Sequence, residues 1–146
     1  MPGPFYTGQA DFAFMGPSAA PGLVALDDER VDVIFRQPRS REDVAAAMEA
    51  VRSDPFSGYA IDGNAHWDLH AVREWWGRRG ELRQHITEHL LSNSWYPWPS
   101  QRPQMHAIAR DWLQHLERDA EAYLRQYAYF LQWKVWPSTT QALPEL

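Results

Sequence analysis

The sequence predicts a single α+β domain: a small N-terminal β-hairpin and strand element, then a mainly helical C-terminal half with one long helix. Three observations predict it. Residues 1–22 hold four of the 11 prolines and four of the eight glycines, so the chain begins irregularly. Val31, Val33 and Phe35 alternate at the period of a half-buried strand. Met105, Ile108, Trp112, Leu116, Tyr123, Tyr127 and Phe130 fall within about 120° of one helical wheel.

Each element follows in order. The arm, 1–22, carries Phe5, Tyr6, Phe12 and Phe14, and leaving these in water would cost burial energy, so it should dock on the body. The block 23–62 is read as a hairpin, a capped helix and a short strand. Leu23–Leu26 and Val31–Phe35 flank the polar stretch Asp27-Asp28-Glu29-Arg30, a turn without the usual Gly or Asn. Ser40, with Asp43 three residues on, has the spacing of a capping box, and Val44, Met48 and Val51 give the stripe of a buried face. Asp54-Pro55 ends that helix. Phe56–Ile61 is read as the strand and Asp62-Gly63-Asn64 as a turn. The helical part, 63–136, holds short helices at 65–76 and 81–92 around Gly77-Arg78-Arg79-Gly80. A proline-rich connection follows, and then the long helix from about Pro103 to Trp136. Residues 137–146 form a tail.

Composition narrows the function. The chain has no cysteine, which excludes disulfides, thiolate metal sites and a thiol nucleophile. Its 14 basic and 19 acidic residues give a formal charge of −5, and all of that excess lies in residues 1–73, with 11 acids and 6 bases. Neither half has the basic excess that nucleic-acid binding needs. No run is long and apolar enough to span a membrane, and no secretory signal is visible. A cytoplasmic protein is the resulting expectation. Phosphate-cradling glycine loops, a nucleophile elbow, an EF-hand and zinc-finger spacings are absent, and no family resemblance is specific enough to name.

Histidine spacing is the chief chemical signal. His66, His70 and Glu74 step along one helix face, and Glu81, His85 and His89 do the same in reverse order. The two rows mirror each other about Gly77–Gly80, so an antiparallel helical hairpin would bring them side by side as ligands for a first-row transition metal. The wheel opposes this cage. The apolar centre lies about 140° from the first row and about 100° from the second, in senses that send one row toward the neighbouring helix and the other away. His85 with Glu88-His89 also has the HxxEH spacing of a zinc peptidase, but nothing downstream selects a third ligand. A third row, Asp111, His115 and Asp119, brackets one imidazole with two carboxylates; it reads either as an acid–base histidine or as a charge ladder.

The second signal is aromatic. Trp95, Tyr96 and Trp98 sit in a proline-stiffened segment with little freedom to lose on binding. Tyr129 falls on the polar side of the long helix, near Trp133 and Trp136. These four, Trp95, Tyr96, Trp98 and Tyr129, are the expected partner-binding residues. The leading expectation is a small acidic binding protein of inhibitor, antitoxin or immunity type, with a protein partner of basic character and no cofactor. A second copy of the chain is a further candidate partner. The alternatives are a His/carboxylate metal-dependent enzyme or metalloprotein, and a small-molecule or tetrapyrrole binder lined by Trp and His.

Overall fold

The computed structural model describes residues 1–8, 14–92 and 99–146. Its elements are β1 (Tyr6–Thr7), α1 (Met15–Ala19), β2 (Val24–Leu26), β3 (Asp32–Ile34), α2 (Arg41–Ser53), β4 (Tyr59–Ala60), α3 (Leu69–Gly77), α4 (Arg79–His85), α5 (Arg102–Arg118) and α6 (Ala120–Trp133). Short 3-10 turns span Gly63–Ala65 and Pro99–Gln101, and a π-helical turn spans Ile86–Leu90. This is the predicted α+β class. No helix among the described residues is long and apolar enough to cross a membrane.

The hairpin forms as predicted, with β2 antiparallel to β3 in the register Val24↔Ile34, Ala25↔Val33 and Leu26↔Asp32. Lacking Gly or Asn, its turn places Arg30 in the left-handed region at φ 65°. The Asp27 carboxylate accepts from Val31 N at 2.8 Å and steadies it. Sequence alternation predicted one buried face, but both are covered. Ala25, Leu26 and Phe35, with Val33 beside them, pack with Ile86, Leu90, Met105 and Trp112. Val24 and Ile34 pack with Ala47 and Ala50 of α2.

The arm is less irregular than its composition predicts. β1 pairs antiparallel with β4, Tyr6↔Ala60 and Thr7↔Tyr59, and α1 packs on α2. The buried Gln37 clasps it: its Oε1 accepts from Phe5 N at 3.1 Å, and its Nε2 donates to Met1 O at 3.1 Å and Phe5 O at 2.7 Å. The arm therefore docks on the body.

Helix α2 begins at the predicted cap. Ser40 Oγ accepts from Asp43 N at 3.0 Å, and the Asp43 carboxylate accepts from Ser40 N at 3.0 Å. The Arg39 N–H, which donates to the same carboxylate at 2.9 Å, and the Ser40 N–H hold the Asp43 carboxyl below the ordinary range. Ser40→Ala is expected to cost about 1 kcal/mol, read as a lower urea midpoint at unchanged slope. The buried face of α2 is not the predicted one. Val44 is 43% exposed, and Ala47 and Ala50 face the core instead, because only small side chains admit α1 this closely.

The long helix exists in two segments. α5 stops at Asp119 (φ −114°), although Asp119 N donates to His115 O at 3.0 Å and Tyr123 N to Asp119 O at 3.1 Å across the break. Aspartate competes for backbone bonds and is a poor interior helix residue, which fits a break here. Of the predicted stripe, Met105, Ile108, Trp112, Leu116, Tyr123 and Tyr127 are buried, and Phe130 is half-buried. Tyr123, Leu124 and Tyr127 close a third cluster with Val72 of α3, flanked by Trp67, Trp75 and Trp76. The tail is held by Arg73 Nε, which donates to Glu145 O, and by Arg125 Nε, which donates to Pro144 O, both at 2.9 Å.

Candidate functional site

The segment that positions the site runs from Gly63 to Leu90. Gly63 N donates to Pro4 O at 3.0 Å, and any Cβ on Gly63 would overlap the Gly3 carbonyl. A 3-10 turn spans 63–65 beside this close approach, and α3 begins only where Asp68 caps it, its carboxylate accepting from Ala71 N at 2.8 Å. The predicted helix over 65–76 is corrected accordingly: His66 lies in the turn, outside the helix that carries His70 and Glu74.

The two mirrored histidine rows therefore do not form, although Glu74, Glu81 and His85 line one cavity. His66 Nε2 lies 3.1 Å from Asp62 Oδ2, with the Tyr6 ring edge-on at 5.9 Å. His66 and the Tyr6 hydroxyl hold the Asp62 carboxyl below its ordinary range, and Asp62 in turn pushes the Tyr6 hydroxyl up. His70 and Glu74 are exposed on α3. Glu81 accepts from Arg78 Nε at 3.0 Å. His85 and His89 stack on each other, centroids 5.0 Å apart and planes 30° apart, against one carboxylate from the hairpin turn. His85 Nε2 lies 3.3 Å from Asp28 Oδ1, and His89 Nδ1 lies 4.0 Å from Asp28 Oδ2. Imidazole nitrogens bind in the ring plane, and two nearly parallel planes this far apart do not converge on one ion. Among the described residues no group of three or more His, Asp or Glu is arranged to hold a metal.

Two adjoining cavities are the open space of this region. The first, about 570 Å³, is lined by Tyr6, Asp27, Val31, Asp32, His66, Trp67, Ala71 and neighbours. The second, about 550 Å³, lies between α3 and α4 and is lined by Trp67, Ala71, Glu74, Trp75, Arg78, Glu81, Leu82 and His85. They share Trp67 and Ala71. Four carboxylates and one arginine line the pair. Burial pushes the Asp27 carboxyl up, the charges of Asp28 and Glu29 add to this, and the Val31 N–H opposes it. Asp32 is fully buried and accepts from the Tyr59 hydroxyl at 2.7 Å. The lining thus carries more carboxylates than cations beside two half-buried indoles.

The third row divides. Asp111 accepts from Arg36 Nη2 at 2.8 Å rather than facing His115. His115 is 2% exposed, packs edge-on to Phe35 and has neither ring nitrogen hydrogen-bonded, with Asp119 Oδ2 3.7 Å from Nδ1. Burial pushes its pKa down to about 4, Arg36 and Arg39 push the same way, and Asp119 opposes them. A buried neutral imidazole is not placed to serve as the acid–base group that the spacing suggested.

Trp95, Tyr96 and Trp98 lie outside the described residues. Tyr129 is half-buried, its ring 6.3 Å from that of Trp133. Trp133 and Trp136 are 64% and 54% exposed, and Trp136 stacks on Phe130 at 5.2 Å. Sequence reasoning missed Asp28 as the partner of His85 and His89, Asp27 and Asp32 as lining of the first cavity, and Trp67 and Trp75 as walls. The run Asp27-Asp28-Glu29 at a hairpin turn was the available signal, but nothing local pairs it with residues some sixty positions on. Compared with protein-family models, with curated proteins and with solved structures, the chain matches none.

Proposed function

We propose that this chain is a small cytoplasmic binding protein whose partner is a basic protein segment, seated along the two cavities that meet at Trp67. The observation that carries the reading is their lining: Asp27, Asp32, Glu74 and Glu81 against Arg78, with the indoles of Trp67 and Trp75. An excess of carboxylates over cations in a concave, partly desolvated surface favours cations and speeds their approach, and aromatic walls supply contact area at low entropic cost. The exposed acids of the hairpin turn, Asp28 and Glu29, extend the field. An inhibitor or immunity-type role is the form of this reading that small size and acidity fit.

Isothermal titration with a hexalysine peptide tests it. Binding at low salt is expected, weakening toward about 0.15 M as exposed charges are screened. The triple variant Asp27→Asn/Glu74→Gln/Glu81→Gln is expected to bind about tenfold more weakly, the sum of three modest charge contacts. No heat at low salt, or equal affinity in the triple variant, would refute the assignment.

A further inference from the structure

The cavity between α3 and α4 differs from its neighbour in having one spare carboxylate. Glu81 is already occupied by Arg78. The side-chain carboxylate of Glu74, four residues before Arg78, has no hydrogen bond or ion pair with any described residue, yet lines the same cavity. Trp67 and Trp75 line it too, and both are half-buried against the Val72 cluster, which fixes their positions. Indole faces attract cations; a guanidinium also stacks on them, and its planar fork matches a carboxylate. The protein makes a related pairing close by, with the Arg79 guanidinium 4.5 Å from the Trp76 ring centroid.

We infer that this cavity receives an arginine side chain of the partner, stacked against Trp67 or Trp75 and paired to Glu74. The inference rests on the basic-partner reading and adds to it one side chain and its seat. A lysine ammonium is a compact, strongly hydrated charge that neither stacks nor forks, so the site discriminates between the two. The volume of about 550 Å³ is ample for one such side chain.

Titration of hexa-arginine, hexalysine and hexacitrulline peptides against wild type, Glu74→Gln and Trp75→Leu tests the seat. Hexa-arginine is expected to bind wild type about tenfold more tightly than hexalysine, and the neutral hexacitrulline not at all. In both variants the margin is expected to shrink to about twofold. Glu74→Gln leaves packing untouched, so the test survives if Trp75→Leu fails to fold. Equal affinities for hexa-arginine and hexalysine on wild type, or a margin that persists in Glu74→Gln, overturns the seat. Either result leaves the basic-partner reading intact while hexalysine still binds and the triple variant still weakens it. If hexalysine does not bind at all, that reading fails, and free arginine amide decides the seat alone. Quenching of tryptophan fluorescence in wild type but not in Glu74→Gln keeps it, and no quenching removes it.

Discussion

Gly16→Ala is expected to destabilise the protein by about 3 kcal/mol or more, although alanine is the better helix former by about 1 kcal/mol. A Cβ on Gly16 would overlap Asp32 Oδ2 and the Tyr59 hydroxyl, the two ends of a 2.7 Å hydrogen bond around a fully buried carboxylate. Either α1 moves off α2 and the hairpin, or Asp32 loses its hydroxyl donor. A buried carboxylate deprived of a donor bears a large desolvation cost. Urea unfolding at neutral pH reads the effect directly, and a variant within 1 kcal/mol of wild type would show that the helix can shift at little cost.

The second large effect is a loss of stability in acid that originates at His115. An unfolded histidine titrates near pH 6.5, whereas burial beside Arg36 and Arg39 pushes His115 down to about 4. Between those two values the unfolded chain binds a proton that the folded chain does not. Stability therefore falls as the pH drops through 6.5, and the loss is complete near pH 4, where the folded state also protonates. The gap corresponds to about 3 kcal/mol. His115→Leu is expected to flatten this decline. At pH 7 it should lie within about 1 kcal/mol of wild type, since both ring nitrogens are already buried without partners. Equilibrium unfolding at steps from pH 7 to 4 provides the check. A variant that declines as steeply as wild type would assign the acid sensitivity elsewhere.

What could be read from sequence was what is local. The Ser40 box needs only residues 40–43, and its geometry matches the expectation. The buried stripe from Met105 to Tyr127 depends on one helical period and is also found. The failures come from contacts between distant segments. The pattern Val44, Met48, Val51 outlined an apolar face, but the approach of α1 selected Ala47 and Ala50. The break at Asp119 is local instead, in keeping with aspartate's poor fit to a helix interior, but the apolar period runs on across it. At the site, the mirror symmetry of the histidine rows assumed two uninterrupted helices. The contact of Gly63 with the Gly3–Pro4 segment removed His66 from the first, and the hairpin turn supplied Asp28 to the second. Of the eventual cavity lining, Glu74, Glu81, His66 and His85 had been singled out, for ligation rather than for charge.

The hairpin β2–β3 has a consequence for how the molecule comes apart. A strand pair with one wet face can peel away with the layer it belongs to. This pair has no wet face: Ala25 and Phe35 belong to one apolar cluster, and Val24 and Ile34 to another. Neither cluster can open while the other stays closed unless the six paired residues are stripped from one side, which exposes apolar area without freeing any chain. The two clusters are thereby tied into one cooperative unit. Three-residue strands, too short to hold together alone, serve as the shared partition through which loosening on the α2 side reaches the α5 side.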